Sequence, residues 1–389
     1  MQIYFDNAAT TFPKPDSVSD AVNECMRGFA VNSGRGIYDV AQKADKIIAE
    51  TRTKVAKLLG FDNGQVIFTP SATLAMNQIL LGFIWKTGDN IYVTPFEHNS
   101  VARVLSHIEK EHGINIIKIP VCEKKMNYDL DQLKKMMFNH PPQAVVLTHV
   151  SNVCGLITPI NDIVTIAKQY ETDTDSVPII IDGAQGGPIL PSGNSNQIDY
   201  YVFSGHKTFY GPFGIAGFWT NGKHEDVRQP VLFGGTGSHS EDLCMPEELP
   251  FKYEVGSPNI VAIAGFHAAC DWLEMVGASN ILAHERYLFK RLVEGLTEFD
   301  GITINSSKDL SQHTSILSFN IDNYTSQEVA MILCQEYGIA VRAGLHCAPW
   351  AHQFLETFPR GTVRIGIGYF NTVEEIDCLI HALGEIMDE

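Results

Sequence analysis

The stretch Tyr201-Val-Phe-Ser-Gly-His-Lys-Thr-Phe-Tyr210 decides how this chain is read. An apolar run of strand length ends at Ser204, and Lys207 follows it among Ser204, Gly205 and His206. Upstream, Val177-Pro-Ile-Ile-Ile-Asp-Gly-Ala-Gln185 holds a second apolar run, closed by Asp182. The first strand end offers an amine beside hydroxyl, imidazole and backbone N–H groups suited to an anion; the second offers a carboxylate. A pyridoxal phosphate site needs this set. The amine condenses with an aldehyde, the donors take a phosphate, and the carboxylate keeps a pyridinium nitrogen charged. Gly205-His-Lys-Thr208 is not a nucleotide-binding P-loop, because the earlier glycine of that pattern is missing.

Outward from these two runs the same arrangement repeats. Gln65–Thr69, Ile91–Thr94, Ala144–Thr148, Pro178–Ile181 and Asp199–Phe203 read as short strands rich in β-branched and aromatic residues. Asp39–Leu59, Ser100–His112 and Asp162–Tyr170 read as helices between them. The alternation predicts an α/β fold with a mainly parallel sheet flanked by helices. Each predicted strand is followed at once by polar residues. These are Pro70-Ser-Ala-Thr73, Phe96-Glu-His-Asn99, His149-Val-Ser-Asn152, Asp182-Gly-Ala-Gln185 and Ser204-Gly-His-Lys207. Ligands of parallel sheets bind outside the carboxyl ends of the strands, so these five loops should converge. Ala72 and Thr73 open a helix whose free N–H groups favour phosphate. His98 is placed to stack on an aromatic ring, Asn152 and Gln185 to bond a ring hydroxyl, and Asp182 to meet a ring nitrogen.

Gly256-Ser-Pro-Asn259 reads as a boundary between residues 15–258, a large cofactor-binding domain, and a smaller α+β domain of residues 1–14 and 259–389. Near the end, Thr372-Val-Glu-Glu375 forms a capping box ahead of an apolar face at Ile376, Leu379, Ile380 and Leu383.

The 389 residues carry a net charge of −17, which disfavours nucleic acid or an anionic membrane surface as a partner. Apolar stretches such as Ile79–Trp85 and Ile260–Phe266 are too short to span a bilayer, and Met1-Gln-Ile-Tyr-Phe lacks a signal-peptide pattern. A cytoplasmic location is expected. The eight cysteines include no C-x-x-C pair, and His346–His352 lacks a second ligand cluster, so no metal is expected.

Taken in order, a set of strings resembles the class V aminotransferase family, and within it the cysteine desulfurases and selenocysteine lyases. They are Tyr4–Ala9, Ser33-Gly-Arg-Gly-Ile37, Glu97-His98-Asn99, His149–Asn152, Asp182–Gln185, Ser204–Lys207, Gly234-Gly-Thr-Gly-Ser238, Phe251–Asn259, Arg342-Ala-Gly-Leu-His-Cys347 and Val363-Arg364. The resemblance implies a fold-type-I pyridoxal phosphate homodimer with Lys207 and His98 in catalytic positions. It implies cofactor contacts from Ala72, Thr73, His98, Asn152, Asp182, Gln185, Ser204, His206 and Lys207, and from Thr236 to the neighbouring subunit's phosphate. It also implies that Asn7, Asn152, Arg342 and Arg364 lie at the substrate, with Arg364 clamping its carboxylate.

Cys347 separates the possible reactions. It lies in a Gly/Pro-bounded loop suited to an exposed, mobile side chain, where His346 or a nearby cation would raise its thiolate fraction. The resemblance implies that it takes sulfur from L-cysteine as a persulfide, leaving L-alanine, and hands it to a sulfur-acceptor protein. The alternatives are selenocysteine lyase, another transaminase or lyase acting on a small amino acid, and a scaffold that binds no cofactor. Leu345 stands where relatives with an Arg-x-Gly-His-His-Cys string carry histidine.

Overall fold

A computed structural model describes residues 2–388 apart from 35, 123–125, 173–175, 193–194, 239–240 and 308. Arg35 of the Ser33–Ile37 string therefore lies outside the described residues. The larger sheet has seven strands: β1 (Gln65–Thr69), β2 (Asn90–Val93), β3 (Asn115–Lys118), β4 (Ala144–Thr148), β5 (Ile179–Asp182), β6 (Tyr200–Ser204) and β7 (Ala216–Thr220). Their order is β1-β7-β6-β5-β4-β2-β3. The pairs from β6 to β3 are parallel, and β7 runs antiparallel to both β6 and β1. A largely parallel sheet was expected, and this antiparallel strand is its one departure.

Both faces of the sheet are buried, which explains the continuous apolar runs. Along β5, Ile179 and Ile181 enter one core cluster while Ile180 enters the opposite one. Burying such side chains stabilises the fold by ~1.5–3 kcal/mol each. The first face packs α1 (Asp16–Gly28) and α2 (Asp39–Leu59); the second packs α3 (Ala72–Gly82) and α4 (Asn99–His112). Helices α5 (Leu130–Asn139) and α6 (Ile160–Ala167) complete the first face.

The helix after the Gly256–Asn259 turn is α7 (Ile260–Val276), and it packs on α1 and α2. Its Ile263, Phe266, Cys270 and Leu273 belong to the core of the large sheet. The change of core therefore comes after α7, not at residue 259. Sequence reading drew the break at the Gly/Pro turn because a turn is visible locally, whereas the partner of an all-apolar helix is not.

Helices α8 (Ala278–Leu296), α9 (Ser326–Glu336), α10 (Pro349–Phe354) and α11 (Val373–Asp388) follow. Apart from α10, they surround an antiparallel sheet of β8 (Ile302–Ile304), β9 (Ile316–Ile321), β10 (Arg342–Gly344) and β11 (Thr362–Gly366), ordered β8-β9-β11-β10. The N-terminus joins this part: Ile3–Tyr4 pairs with Ile339–Ala340, and Phe5 lies in its core. Thr372 and Glu375 make both bonds of the expected capping box. No single helix among the described residues is long and apolar enough to cross a membrane. Helices α7 and α8 pass such a test only as a pair bent by 76°.

Candidate active site

Five strand ends converge as the alternation predicts, and each owes its geometry to local chemistry. After β1, Ser71 caps α3 by accepting from the Leu74 N–H at 3.2 Å. The first-turn N–H groups of Ala72 and Thr73 have no intrahelical acceptor and are suited to an anion. After β2, His98 Nδ1 accepts from the Ser100 N–H at 3.0 Å and caps α4. That bond leaves the proton on Nε2 and fixes the ring. Burial, followed by the charges of Lys207 and Arg364, lowers the His98 pKa to about 4, so the imidazole is neutral.

Glu97, which the sequence reading passed over, secures this loop. Its Oε1 accepts from Thr94 Oγ1 at 2.6 Å and from the Thr148 N–H at 2.8 Å, tying the ends of β2 and β4 together. The carboxyl is fully buried, and burial pushes its pKa up to about 8.

Asp182 ends β5, opposite Thr148 on one side and Val202 on the other. It accepts from the Ala184 N–H at 3.1 Å. Burial raises its pKa, while that hydrogen bond and the Lys207 charge oppose the rise. A buried carboxylate with one backbone donor is built to meet a cation. Three residues on, Gln185 Nε2 donates to the Ala8 carbonyl at 2.6 Å.

Lys207 lies in a tight turn beyond β6. Gly205 has no substitute there, since a Cβ would sit 2.6 Å from the Ile215 carbonyl oxygen. An N-terminal strap grips the turn. Thr10 Oγ1 and Lys14 Nζ donate to the His206 carbonyl at 2.9 and 2.7 Å, and Thr11 Oγ1 donates to the Lys207 carbonyl at 3.1 Å. The His206 ring stacks on Phe213 with centroids 4.5 Å apart. Its Nδ1 is buried without a partner among the described residues. Burial lowers the Lys207 pKa; Asp182 raises it and Arg364 lowers it further. The amine is thus biased toward the uncharged form that condenses with an aldehyde.

Arg364 on β11 is 2 % exposed. Its Nη2 donates to Asp6 Oδ1 at 2.8 Å and its Nη1 to the Asn152 carbonyl at 3.0 Å. Its Nε is a buried donor with no partner among the described residues. Arg342, facing it on β10, donates to the other Asp6 oxygen at 2.9 Å. Asp6 thus holds both arginines, a role that sequence reading missed although the residue stands in the Tyr4–Ala9 string. Asn7 is committed internally: Nδ2 donates to Gly366 O and Asn371 Oδ1, and Oδ1 accepts from the Phe12 N–H. It braces the strap at the edge of the site.

Cys347 is exposed, and it lies near enough for its charge to affect Lys207 and Arg364. The loop differs from expectation in two ways. It is pinned: the Cys347 carbonyl accepts from the Asn99 N–H, and the His346 carbonyl from Asn152 Nδ2, both at 2.7 Å. Both residues adopt left-handed backbone, at φ 57 and φ 47. His346 supplies no cation. Its ring is buried, with Nε2 against Thr362, and burial together with Arg364 lowers its pKa to about 2. Arg364 is the nearby cation instead.

Thr236 lies elsewhere in the chain. Its Oγ1 meets Ser238 Oγ at 3.0 Å, and its loop lines a groove of about 1850 Å³ bordered by Tyr38, Phe233, Leu243 and Phe251.

The residues present fit pyridoxal phosphate. The half-buried amine, the buried carboxylate, the unpartnered His206 nitrogen and the opening of α3 match its aldehyde, ring nitrogen and phosphate.

Residues 3–379 match the aminotransferase class-V family model. A cysteine desulfurase of Haloferax volcanii is 32% identical over 98% of this chain and 88% of its own. A probable cysteine desulfurase of Pyrococcus abyssi is 31% identical over 99% of this chain and 94% of its own. Among solved structures, a cysteine desulfurase from Thermococcus onnurineus superposes with a TM-score of 0.91 at 29% identity, covering 100% of this chain and 95% of that one. The chain belongs to the class-V aminotransferases.

Proposed function

We propose that this protein is a pyridoxal phosphate-dependent cysteine desulfurase that converts L-cysteine to L-alanine and holds the released sulfur on Cys347 as a persulfide. The observation that carries the reading is the meeting of three groups: Lys207 feels the charges of both Asp182 and Cys347 across one site. When bound, the cofactor supplies an electron sink for bonds at the substrate's α-carbon.

The chain's own residues do the rest. Lys207 anchors the cofactor and then, as a free amine, moves the α-proton. Asp182 holds a proton on the ring nitrogen. His98, locked by Ser100, would lie against the bound ring and keeps its Nε2–H available as a donor. The residues Ser204 and His206 and the α3 opening, with Ala72 and Thr73, would hold the phosphate; Asn152 and Gln185 would border the ring. Arg364 takes the substrate carboxylate, with its unpartnered Nε–H as the free donor. The Cys347 thiolate then attacks the substrate sulfur. An S–S bond forms and the substrate C–S bond breaks, with the electron pair staying on carbon. One proton added at that carbon and the α-proton returned by Lys207 complete alanine, and Cys347 keeps the S–SH group. Thr236 reaches the phosphate of a second copy, so the working unit is a homodimer. An acceptor protein's thiolate in the cytoplasm then takes the outer sulfur: a new S–S bond forms, the S–S bond to Cys347 breaks, and Cys347 leaves as thiolate.

The test is to incubate the protein with L-cysteine and assay alanine and protein-bound persulfide. Cys347→Ala should still shift the cofactor absorbance on binding L-cysteine but release almost no alanine. Alanine at an unchanged rate would replace this reading with a lyase that needs no thiol, of the kind expected to act on selenocysteine.

A further inference from the structure

Lys207 stands on the large sheet and Arg364 on the small one, yet both must meet the same small substrate. One buried network joins them. Tyr210 belongs to the Lys207 turn, where its N–H donates to the Lys207 carbonyl at 2.8 Å. Its phenol is 1 % exposed and packs on Trp272 of α7, with ring centroids 4.9 Å apart. The phenol oxygen accepts from the Tyr369 N–H at 2.7 Å and donates to Glu285 Oε1 at 3.0 Å. Glu285 Oε2 accepts from Ser315 Oγ at 2.7 Å. The Ser315 carbonyl in turn accepts from the Ile367 N–H at 3.0 Å. Ile367 and Tyr369 immediately follow β11, the strand that carries Arg364.

We propose that Glu285, acting through Tyr210, is a positioning residue that sets the spacing between Lys207 and Arg364 and so selects amines that carry an α-carboxylate. The proposal rests on the assignment of Lys207 to the cofactor and Arg364 to the substrate carboxylate. The small-domain helix α8 supplies the carboxyl, the large-domain turn supplies the phenol, and the end of β11 supplies the N–H. A relative shift of the two sheets must therefore break one of these bonds. The phenol and the carboxyl are both out of water, so a broken bond between them has no solvent replacement. Burial raises the Glu285 pKa to about 7, opposed by its bonds to Ser315 and Tyr210. The carboxyl accepts from both hydroxyls whether or not it is ionised.

The test compares two ligands of the cofactor-loaded protein, L-alanine and ethylamine, which differ only by the carboxylate, with binding read from cofactor absorbance. Tyr210→Phe keeps the ring packing but removes the oxygen. It should bind L-alanine about tenfold more weakly, a loss of ~1.4 kcal/mol, while ethylamine affinity stays within about twofold. Glu285→Gln should shift the alanine-to-ethylamine ratio in the same direction, and it carries the test if Tyr210→Phe does not fold. Arg364→Lys is run beside them. An unchanged ratio in Tyr210→Phe or Glu285→Gln, against a lowered ratio in Arg364→Lys, overturns the positioning role alone. An unchanged ratio in Arg364→Lys overturns the carboxylate assignment and the selection with it. A lower melting temperature without a change of ratio marks a merely structural bond and also overturns the proposal.

Discussion

Replacing Glu97 by glutamine removes a proton equilibrium while keeping the contacts. The Glu97 carboxyl is fully buried, and Oε1 receives hydrogen bonds from Thr94 Oγ1, the Thr94 N–H and the Thr148 N–H. No partner for Oε2 occurs among the described residues. In the fold its pKa stands at about 8 against an ordinary value of 4.5, chiefly through burial, with Asp182 adding to the rise. The sign follows from linkage. The folded chain keeps a proton that the unfolded chain gives up above 4.5, so the stability is fully present below that pH. It is lost as pH climbs toward 8, at ~1.4 kcal/mol per pH unit. Near the upper end the loss amounts to ~4 kcal/mol. Glutamine keeps an acceptor at Oε1 and never ionises. Glu97→Gln should therefore match the parent at pH 5 within ~1 kcal/mol and exceed it by roughly 3–4 kcal/mol at pH 8. Glu97→Ala should instead be destabilised at every pH, because each stranded donor costs ~1–3 kcal/mol. Urea unfolding of the cofactor-free protein, followed by tryptophan fluorescence at several pH values, reads the difference. A gap between glutamine and glutamate that stays flat from pH 5 to 8 would mean that Glu97 is ionised in the fold, and the argument would fail.

Asp182→Asn should retain the fold and the cofactor while turnover falls on the order of a hundredfold, since one preorganised charge at the reacting centre is gone; near-parental turnover removes Asp182 from the mechanism. Asp6→Asn unfastens Arg364 and Arg342, so KM for L-cysteine should rise about tenfold with kcat changing less. A fall in kcat at constant KM contradicts the view of Asp6 as a clamp. Mixed dimers of Thr236→Ala and Lys207→Ala subunits should regain one intact site, measured as activity above either parent dimer. A fully active monomer in sedimentation rules out the shared site.

Local signals were enough for the strand ends. Asp182 and Ser204 each close an apolar run, and a residue that ends a parallel strand is directed to the ligand edge whatever the rest of the chain does. The Thr372 capping box was legible for the same reason, since it is decided within four residues. Pairings across the chain were not. Asp6 meets Arg364, and Tyr210 meets Glu285, through contacts that nothing near either residue announces. The orientation of His346 was misjudged on sequence adjacency to Cys347. In left-handed backbone the neighbouring side chain turns to Thr362. The partner of α7 was misassigned because a helix that is apolar all round does not state which core it enters.

The strap formed by Thr10, Thr11 and Lys14 has a consequence for how the protein is made. It is synthesised well before its acceptors, the carbonyls of His206 and Lys207, which lie 192 to 196 residues further along the chain. Asp6 waits longer still, until Arg364 has left the ribosome. The large sheet can form on the nascent chain once β7 has emerged, since β1 pairs with β7 alone while the other strands are consecutive neighbours or nearly so. Its ligand edge cannot close until the last strand of the small sheet is in place, so loading of the cofactor into a finished site follows the synthesis of β11.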